Sequence, residues 1–416
     1  MSEEFRLRSI IVPAYGPATL FGLAEGAIFP VIALSAIDRG ATTSIAALVA
    51  ALIGIGSIVT NIPSGILATR LGERNAMLIA SVITAIGLAF CLIDLADKEL
   101  SLLTYSFGVL LIGAASSVYN LARQSYLTEM VPPHMRARAL STLGGTMRIG
   151  VFVGPFIAAG AMHFWGIDGA YYIALVAIAA AGVIVYRSPD LELNESRRAA
   201  AATVTTTGIV KQYWRLFLTL GTGVLLLSAI RQTRQIVIPL WAAHLGLSPT
   251  TSSIIYGVAG AIDALTFYPA GKVMDHYGRK WVAVPSTFVL GISFALMPLT
   301  HGVTTLAIAA MVMGFGNGIG SGIVMTLGAD TSPSVGRPTF LGVWRELADA
   351  GSGIGPVILS AVTALAGLAM GIEVSALVGL AAAGALWVWI PKNAGRTRAE
   401  PAERISVNVD REGTDV

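Results

Sequence analysis

Long apolar runs divided by short, strongly basic turns limit this chain to one kind of solvent. The turn Gly271-Lys-Val-Met-Asp-His-Tyr-Gly-Arg-Lys280 packs six ionisable or polar side chains into ten residues. The stretch before it, 250–268, carries only Asp263, and the stretch after it, 281–299, carries no charge. A run of about 20 apolar residues is long enough to cross the hydrocarbon core as a helix. Twelve such runs can be read along the chain: 10–36, 44–68, 76–96, 101–126, 138–163, 169–187, 214–240, 249–270, 281–299, 304–328, 339–365 and 370–391. Charged residues make up 12% of the 416, about half the roughly 25% of soluble domains. The expectation is an all-α polytopic membrane protein embedded in a lipid bilayer.

Charge placement orients it. Of 27 Lys and Arg, 20 fall on the side of the termini, of the linker and of the basic turns; Arg39 and Lys98 fall opposite, and five lie inside spans. Positive loops stay in the cytoplasm, so both termini are expected there, in agreement with an even number of spans. The first apolar run lacks a small-residue cleavage site and is read as a retained span. A net charge of only +3 suggests no nucleic-acid partner, and the single cysteine, Cys91, excludes a disulfide framework.

The chain repeats itself. A shift of 201 carries Gly113 onto Gly314, Glu129 onto Asp330, Arg136 onto Arg337 and Gly154-Pro155 onto Gly355-Pro356. A shift of 206 carries the weaker turn Gly65-Ile-Leu-Ala-Thr-Arg70-Leu-Gly72-Glu-Arg74 onto Gly271–Lys280. The expected organisation is an N-terminal six-helix bundle over 1–187, a cytoplasmic linker over 188–213, a C-terminal bundle over 214–391 and a cytoplasmic tail over 392–416. A cavity near mid-membrane is expected between such halves.

These motifs resemble the major facilitator superfamily. Gly271-x-x-x-Asp275-x-x-Gly278-Arg279-Lys280 is similar to that family's signature loop after spans two and eight; in the first copy Thr69 stands where Asp is usual and Glu73 where a base is common. Gly150-x-x-x-Gly154-Pro155 resembles the span-five motif of the twelve-span drug:proton antiporters, although the paired glycine after it is absent and Val109 occupies the place of the family's span-four arginine. The resemblance covers nearly the whole chain. It implies the two-bundle fold, alternating access, a monomer, and residence in a bacterial inner (plasma) membrane.

The loops then read as a conformational latch made of Gly65, Arg70, Gly72, Arg74, Gly271, Asp275, Gly278 and Arg279. Glu129 and Asp330 are placed to join it, and Asp275 can accept from Arg279. A proline inside a helix removes one backbone bond and favours a bend, so Gly154-Pro155 and Gly355-Pro356 read as hinges or as packing positions.

Charges inside spans carry the functional signal, because each costs at least about 2.5–3.5 kcal/mol unless it is paired or faces a cavity. Glu25, Glu346, Asp263 and Asp349, in that order, are the candidate proton carriers. Arg123, Arg148, Arg231, Arg234 and Arg345 are candidates for the substrate cavity, with Asn120, Asn317 and Tyr119. Arg148 maps onto Asp349 and Glu25 onto Arg234 between the halves, which makes each couple a candidate ion pair. No catalytic triad, phosphate loop or metal-ligand spacing is present in the sequence, so neither an enzyme nor a cofactor or metal site is expected. The first functional expectation is proton-coupled export of hydrophobic or amphipathic small molecules. The alternative is a proton-coupled carrier of an anionic organic solute recognised by Arg231 and Arg234, and a non-transporting sensor or scaffold is the third.

Overall fold

The computed structural model describes residues 11–131, 136–189, 206–333 and 337–390. The tail over 392–416 and most of the linker lie outside them, as do the side chains of Gly65, Thr69, Glu129, Arg136, Gly271, Asp275 and Arg337. After a π-helical turn at Ile11–Tyr15, the described helices are α1 (Gly16–Ile28), α2 (Ile32–Asp38), α3 (Thr43–Leu71), α4 (Glu73–Leu92), α5 (Lys98–Met130), α6 (Arg136–Trp165), α7 (Asp168–Arg187) and α8 (Thr206–Leu218). There follow α9 (Leu220–His244), α10 (Pro249–Tyr277), α11 (Lys280–Leu296), α12 (Val303–Ile319), α13 (Ile323–Thr331), α14 (Arg337–Ala366) and α15 (Leu368–Trp389).

Ten helical stretches are long and apolar enough to span, and the bent pair α8 and α9 brings the total to eleven among the described residues. The helix in the expected eighth place, α10, is 29 residues long but is diluted by Thr250, Thr251, Ser252 and Ser253 at its start and by Asp263 midway. Three expected spans are not single rods. Pro30 has no N–H to continue the ladder, and the first span breaks between α1 and α2 there. The tenth breaks at Gly320–Gly322 into α12 and α13, with Gly322 at φ 87°. The seventh begins later than expected: residues 214–218 belong to α8, which turns 70° away from α9.

The duplication is visible in packing. In the first half α1 packs on α6 and α7, α3 on α5, and α4 on α5 and α7. In the second half α9 packs on α14 and α15, α10 on α12, and α11 on α12 and α15. Between the halves, α3 packs on α14 and α6 on α10. Gly72 and Gly278, one in each copy of the basic turn, follow α3 and α10 at φ 84° and 97°, a region closed to most side chains.

Small residues set the helix spacing. A Cβ on Gly150 or Gly154 would strike the α1 backbone at Thr19, Leu23 and Ala27; on the equivalent Gly351 or Gly355 it would strike the α9 backbone at Leu225 and Ala229. Gly113 meets Ile53 and Gly314 meets Ala259 in the same manner. In lipid there is little hydrophobic drive between helices, so such close approach supplies the association. Helices α6 and α14 run through Pro155 and Pro356 without interruption. Gly154 and Gly355 of these Gly-Pro motifs both sit at close helix contacts.

Candidate functional site

Between the halves lies a cavity of about 230 Å³. Its wall is mostly polar: Glu25 from α1, Ser57 from α3, Ser116 and Asn120 from α5, Gln232 and Gln235 from α9, and Asp349 and Ser352 from α14, with Phe29 and Ile53 as apolar patches. Two of the spans that supply it, α3 and α14, meet each other through small residues. Gly54 sits against the backbone of Ser352 and Gly353. Ser44 Oγ donates to the Ser360 carbonyl at 2.8 Å, and Ser360 Oγ donates back to the Ser44 carbonyl at 2.9 Å.

Three charge clusters lie near this space; Glu25, Asn120 and Asp349 belong to its wall, whereas Arg123, Arg148, Arg231, Arg234, Arg345, Asp263 and Asn317, expected at the cavity, do not line it. In the first, Glu25 faces the Arg123 guanidinium with the Ser116 hydroxyl beside it. Arg123 Nη2 donates to Asn120 Oδ1 at 2.9 Å. Tyr119, in contrast, is buried and stacks on Phe21 at 4.0 Å, away from the cavity wall.

The second cluster centres on Asp263. Its Oδ2 accepts from Asn317 Nδ2 at 2.5 Å and from Arg234 Nη2 at 3.4 Å. Arg231 and Arg148 also face this carboxylate. Arg148 arrives from the other half, on α6, with its guanidinium 4.1 Å from the centroid of the Phe267 ring. Of the three guanidinium groups around this carboxylate, Arg234 alone forms an ion pair with it, while Arg148 and Arg231 act on it through space. Buried donors remain unpartnered on all three: Nε and Nη2 of Arg231, Nη1 of Arg148 and Nε of Arg234. Each such donor costs about 1–3 kcal/mol. Arg231 lies against Gly320, at the break in the tenth span, where a Cβ would come within 2.6 Å of its Nη2.

The third cluster joins the halves. Asn61 Nδ2 donates to Asp349 Oδ2 at 2.6 Å, and the Ser117 hydroxyl donates to Asn61 Oδ1. Glu346 lies beside Asn61 and Asp349. Arg345 Nε is 3.9 Å from Asp349 Oδ2, one helical turn further along α14, and Arg345 Nη1 donates to Gln124 Oε1 across the halves at 3.3 Å.

Two expected couples are not contacts. Arg148 faces Asp263 instead of Asp349, and Arg234 pairs with Asp263 instead of Glu25. Equivalent places in two bundles need not face one another; the faces that meet are α6 on α10 and α3 on α14. Two residues of the wall, Gln232 and Gln235, are not among the residues expected there from sequence. The polar run Arg231-Gln-Thr-Arg-Gln235 inside an apolar span was the available signal for the glutamines.

At the basic turns, Arg279 Nε donates to Asp330 Oδ2 at 2.8 Å. This pair joins the turn after α10 to the end of α13 within one half. The repeat places Glu73 and Glu129 at the matching positions, two residues of like charge. Glu73 accepts from Ser125 Oγ at 3.0 Å, Arg70 is exposed, and Arg74 lies 5.9 Å from the Tyr186 ring. The Arg279 side chain is 13% exposed and also donates through Nη1 to the Met274 carbonyl at 3.4 Å, so Arg279→Gln should lower stability by about 1–2 kcal/mol. Thermal unfolding of the purified variant checks this, and a much larger fall would mean that the pair holds the half together.

Comparison with known proteins identifies the architecture. A family profile described as Major Facilitator Superfamily matches residues 18–233 and 220–408. The chain is 24% identical over 294 residues to a Na(+), Li(+), K(+)/H(+) antiporter of Planococcus maritimus, an alignment covering 63% of this chain and 68% of that one. It is 32% identical over 124 residues to the human solute carrier family 2, facilitated glucose transporter member 4, covering 30% of this chain and 23% of the relative. Among solved structures, a D-xylose-proton symporter superposes with a TM-score of 0.72 at 17% identity, covering 94% of this chain and 99% of its own.

Proposed function

The chain belongs to the Major Facilitator Superfamily and is a transporter, not an enzyme; from that premise we propose that it is a proton-coupled carrier of an anionic organic solute. The observation that carries this reading is the Asp263 cluster, where three arginines surround one carboxylate, only Arg234 pairs with it, and all three keep unpartnered donors. A carboxylate or phosphate group on the substrate fits those donors, and guanidinium binds such groups in a planar fork. The mostly polar wall of the cavity agrees with a polar solute more than with a hydrophobic one.

The same cluster suggests how coupling works. A substrate anion that takes over Arg231 and Arg234 displaces Asp263 from its counter-ion. A proton that accompanies the anion neutralises the freed carboxylate. Anion and proton then enter together, and the net charge of the site is unchanged. Glu25, on the cavity wall opposite Arg123, is the second proton carrier in this scheme, with Glu346 and Asp349 behind it. The relative from Planococcus maritimus is described as exchanging cations for protons, which is compatible with proton coupling.

A second reading, export of hydrophobic or amphipathic compounds against protons, is favoured by Glu25 and Asp349 standing beside Phe29 and Ile53 in the wall. A ligand-stabilisation screen across a pH series separates the two. Organic anions should raise the unfolding temperature of the wild type and lose that effect in Arg231→Gln and Arg234→Gln. Stabilisation by cationic dyes alone, unchanged in both variants, would discard the anion reading in favour of the second. Proton-driven uptake that stays fully coupled in Asp263→Asn and Glu25→Gln would rule out the proposed carriers.

A further inference from the structure

Helix α8 has no part in the site above. It is 13 residues long, kinks at Tyr213 (φ -111°, ψ 17°) and turns 70° from α9. Since α9 crosses the bilayer, the turn lays α8 close to the membrane plane. Two crossings separate it from the Gly278 turn, so both lie on the basic face of the molecule.

The sides of α8 differ. Ile209 and Phe217 are buried, and the rings of Tyr213 and Phe217 meet Phe340 of α14 at 5.3 and 5.1 Å. On the outer side Val210, Trp214 and Leu218, spaced four apart, are 40%, 50% and 63% exposed. Lys211 and Arg215, also four apart, are exposed beside that stripe, and the Arg215 guanidinium lies 5.4 Å from the centroid of the Trp214 ring. The helix contains no Asp or Glu. An apolar stripe with an indole and flanking bases is the chemistry of a helix set at headgroup level. Two bases without a carboxylate prefer negative headgroups, by about fivefold for each base near an anionic surface.

The buried side leads towards the cavity. Phe340 stacks on Trp344 at 6.1 Å, and Trp344 Nε1 donates to the Val324 carbonyl of α13 at 2.8 Å. Arg345 and Asp349 follow on the same helix.

We propose that α8 is a docking surface for anionic phospholipid headgroups, and that lipid held by Lys211 and Arg215 acts on the cavity through Phe217, Phe340 and Trp344. Quenching of Trp214 by brominated lipid tests the docking. The full chain is reconstituted in vesicles containing brominated phosphatidylglycerol or brominated phosphatidylcholine, and the Trp214 signal is taken as the difference from Trp214→Phe. Phosphatidylglycerol should quench it more strongly, with a preference of roughly 25-fold from the two bases. Lys211→Gln combined with Arg215→Gln should abolish the preference while phosphatidylcholine still quenches. Equal quenching by both lipids in the wild type would leave only a neutral interfacial helix. No quenching by either would mean that protein covers α8, and each of these results overturns the proposal. For the link to the cavity, maleimide labelling of Ser57→Cys in a Cys91→Ala background is compared between vesicles with and without phosphatidylglycerol. The rate should depend on the lipid with α8 intact and lose that dependence in the Lys211/Arg215 double variant and in Phe217→Ala. A rate indifferent to lipid with α8 intact, or one still lipid-dependent in the double variant, would overturn the coupling.

Discussion

Asp263→Asn should destabilise the folded protein by about 3–5 kcal/mol, the usual result of removing one partner from a buried ionic cluster. The reason is the imbalance around that residue. Arg148, Arg231 and Arg234 all face its carboxylate, and the Asn317 amide donates to it at 2.5 Å. Asparagine keeps the shape and loses the charge, so three cations then repel one another in a poorly solvated space. Two further results should accompany the loss. Adding Arg231→Gln to Asp263→Asn should recover part of the stability, because one of the repelling charges is gone. An organic anion should also stabilise Asp263→Asn more than it stabilises the wild type, since it replaces the missing counter-ion. Thermal unfolding with and without added anion reads all three, and an Asp263→Asn midpoint equal to that of the wild type would show that the cluster is solvated and carries no strain.

Gly150→Ala should cost about 3 kcal/mol, at the upper end for overpacking by one methyl group. The added carbon would press into the α1 backbone at Thr19, Gly22 and Leu23, and backbone yields less readily than a side-chain tip. Gly351→Ala should behave alike, since its Cβ meets the α9 backbone at Leu225. Gly160→Ala, ten residues further along the same α6 helix, has nothing within 4 Å of the new carbon. It should be neutral or slightly stabilising, because alanine restricts the unfolded chain and favours helix. Unfolding curves for the three variants provide the comparison; equal effects at Gly150 and Gly160 would mean that α6 and α1 separate at little cost.

The parts of this protein legible from sequence are those governed by local chemistry. Apolar length marks most of the spans, since a helix must match the bilayer wherever it lies in the chain. Gly72 and Gly278 mark the repeated turn, since few other residues accept a φ near 90°. Shifts of 201 and 206 bring Gly113 onto Gly314 and Ile53 onto Ala259, and the structure uses both couples as helix contacts. Breaks within spans were less visible. Hydropathy averages over a window, so the turn at Thr219, the interruption at Pro30 and the left-handed Gly322 disappear into their apolar surroundings.

The buried charges could be named in advance but not matched. Sequence identified Asp263, Arg148, Arg231 and Arg234 as costly residues in need of partners, because the penalty for charge in hydrocarbon is a property of each side chain. Their grouping around a single carboxylate depends on α6 packing against α10 and on Gly320 leaving room for Arg231. Which helix faces meet is decided by small residues far apart in the chain and by the approach of two bundles, neither of which any local periodicity encodes. The alphabet of the site was therefore set by sequence alone, and its pairing by the tertiary structure.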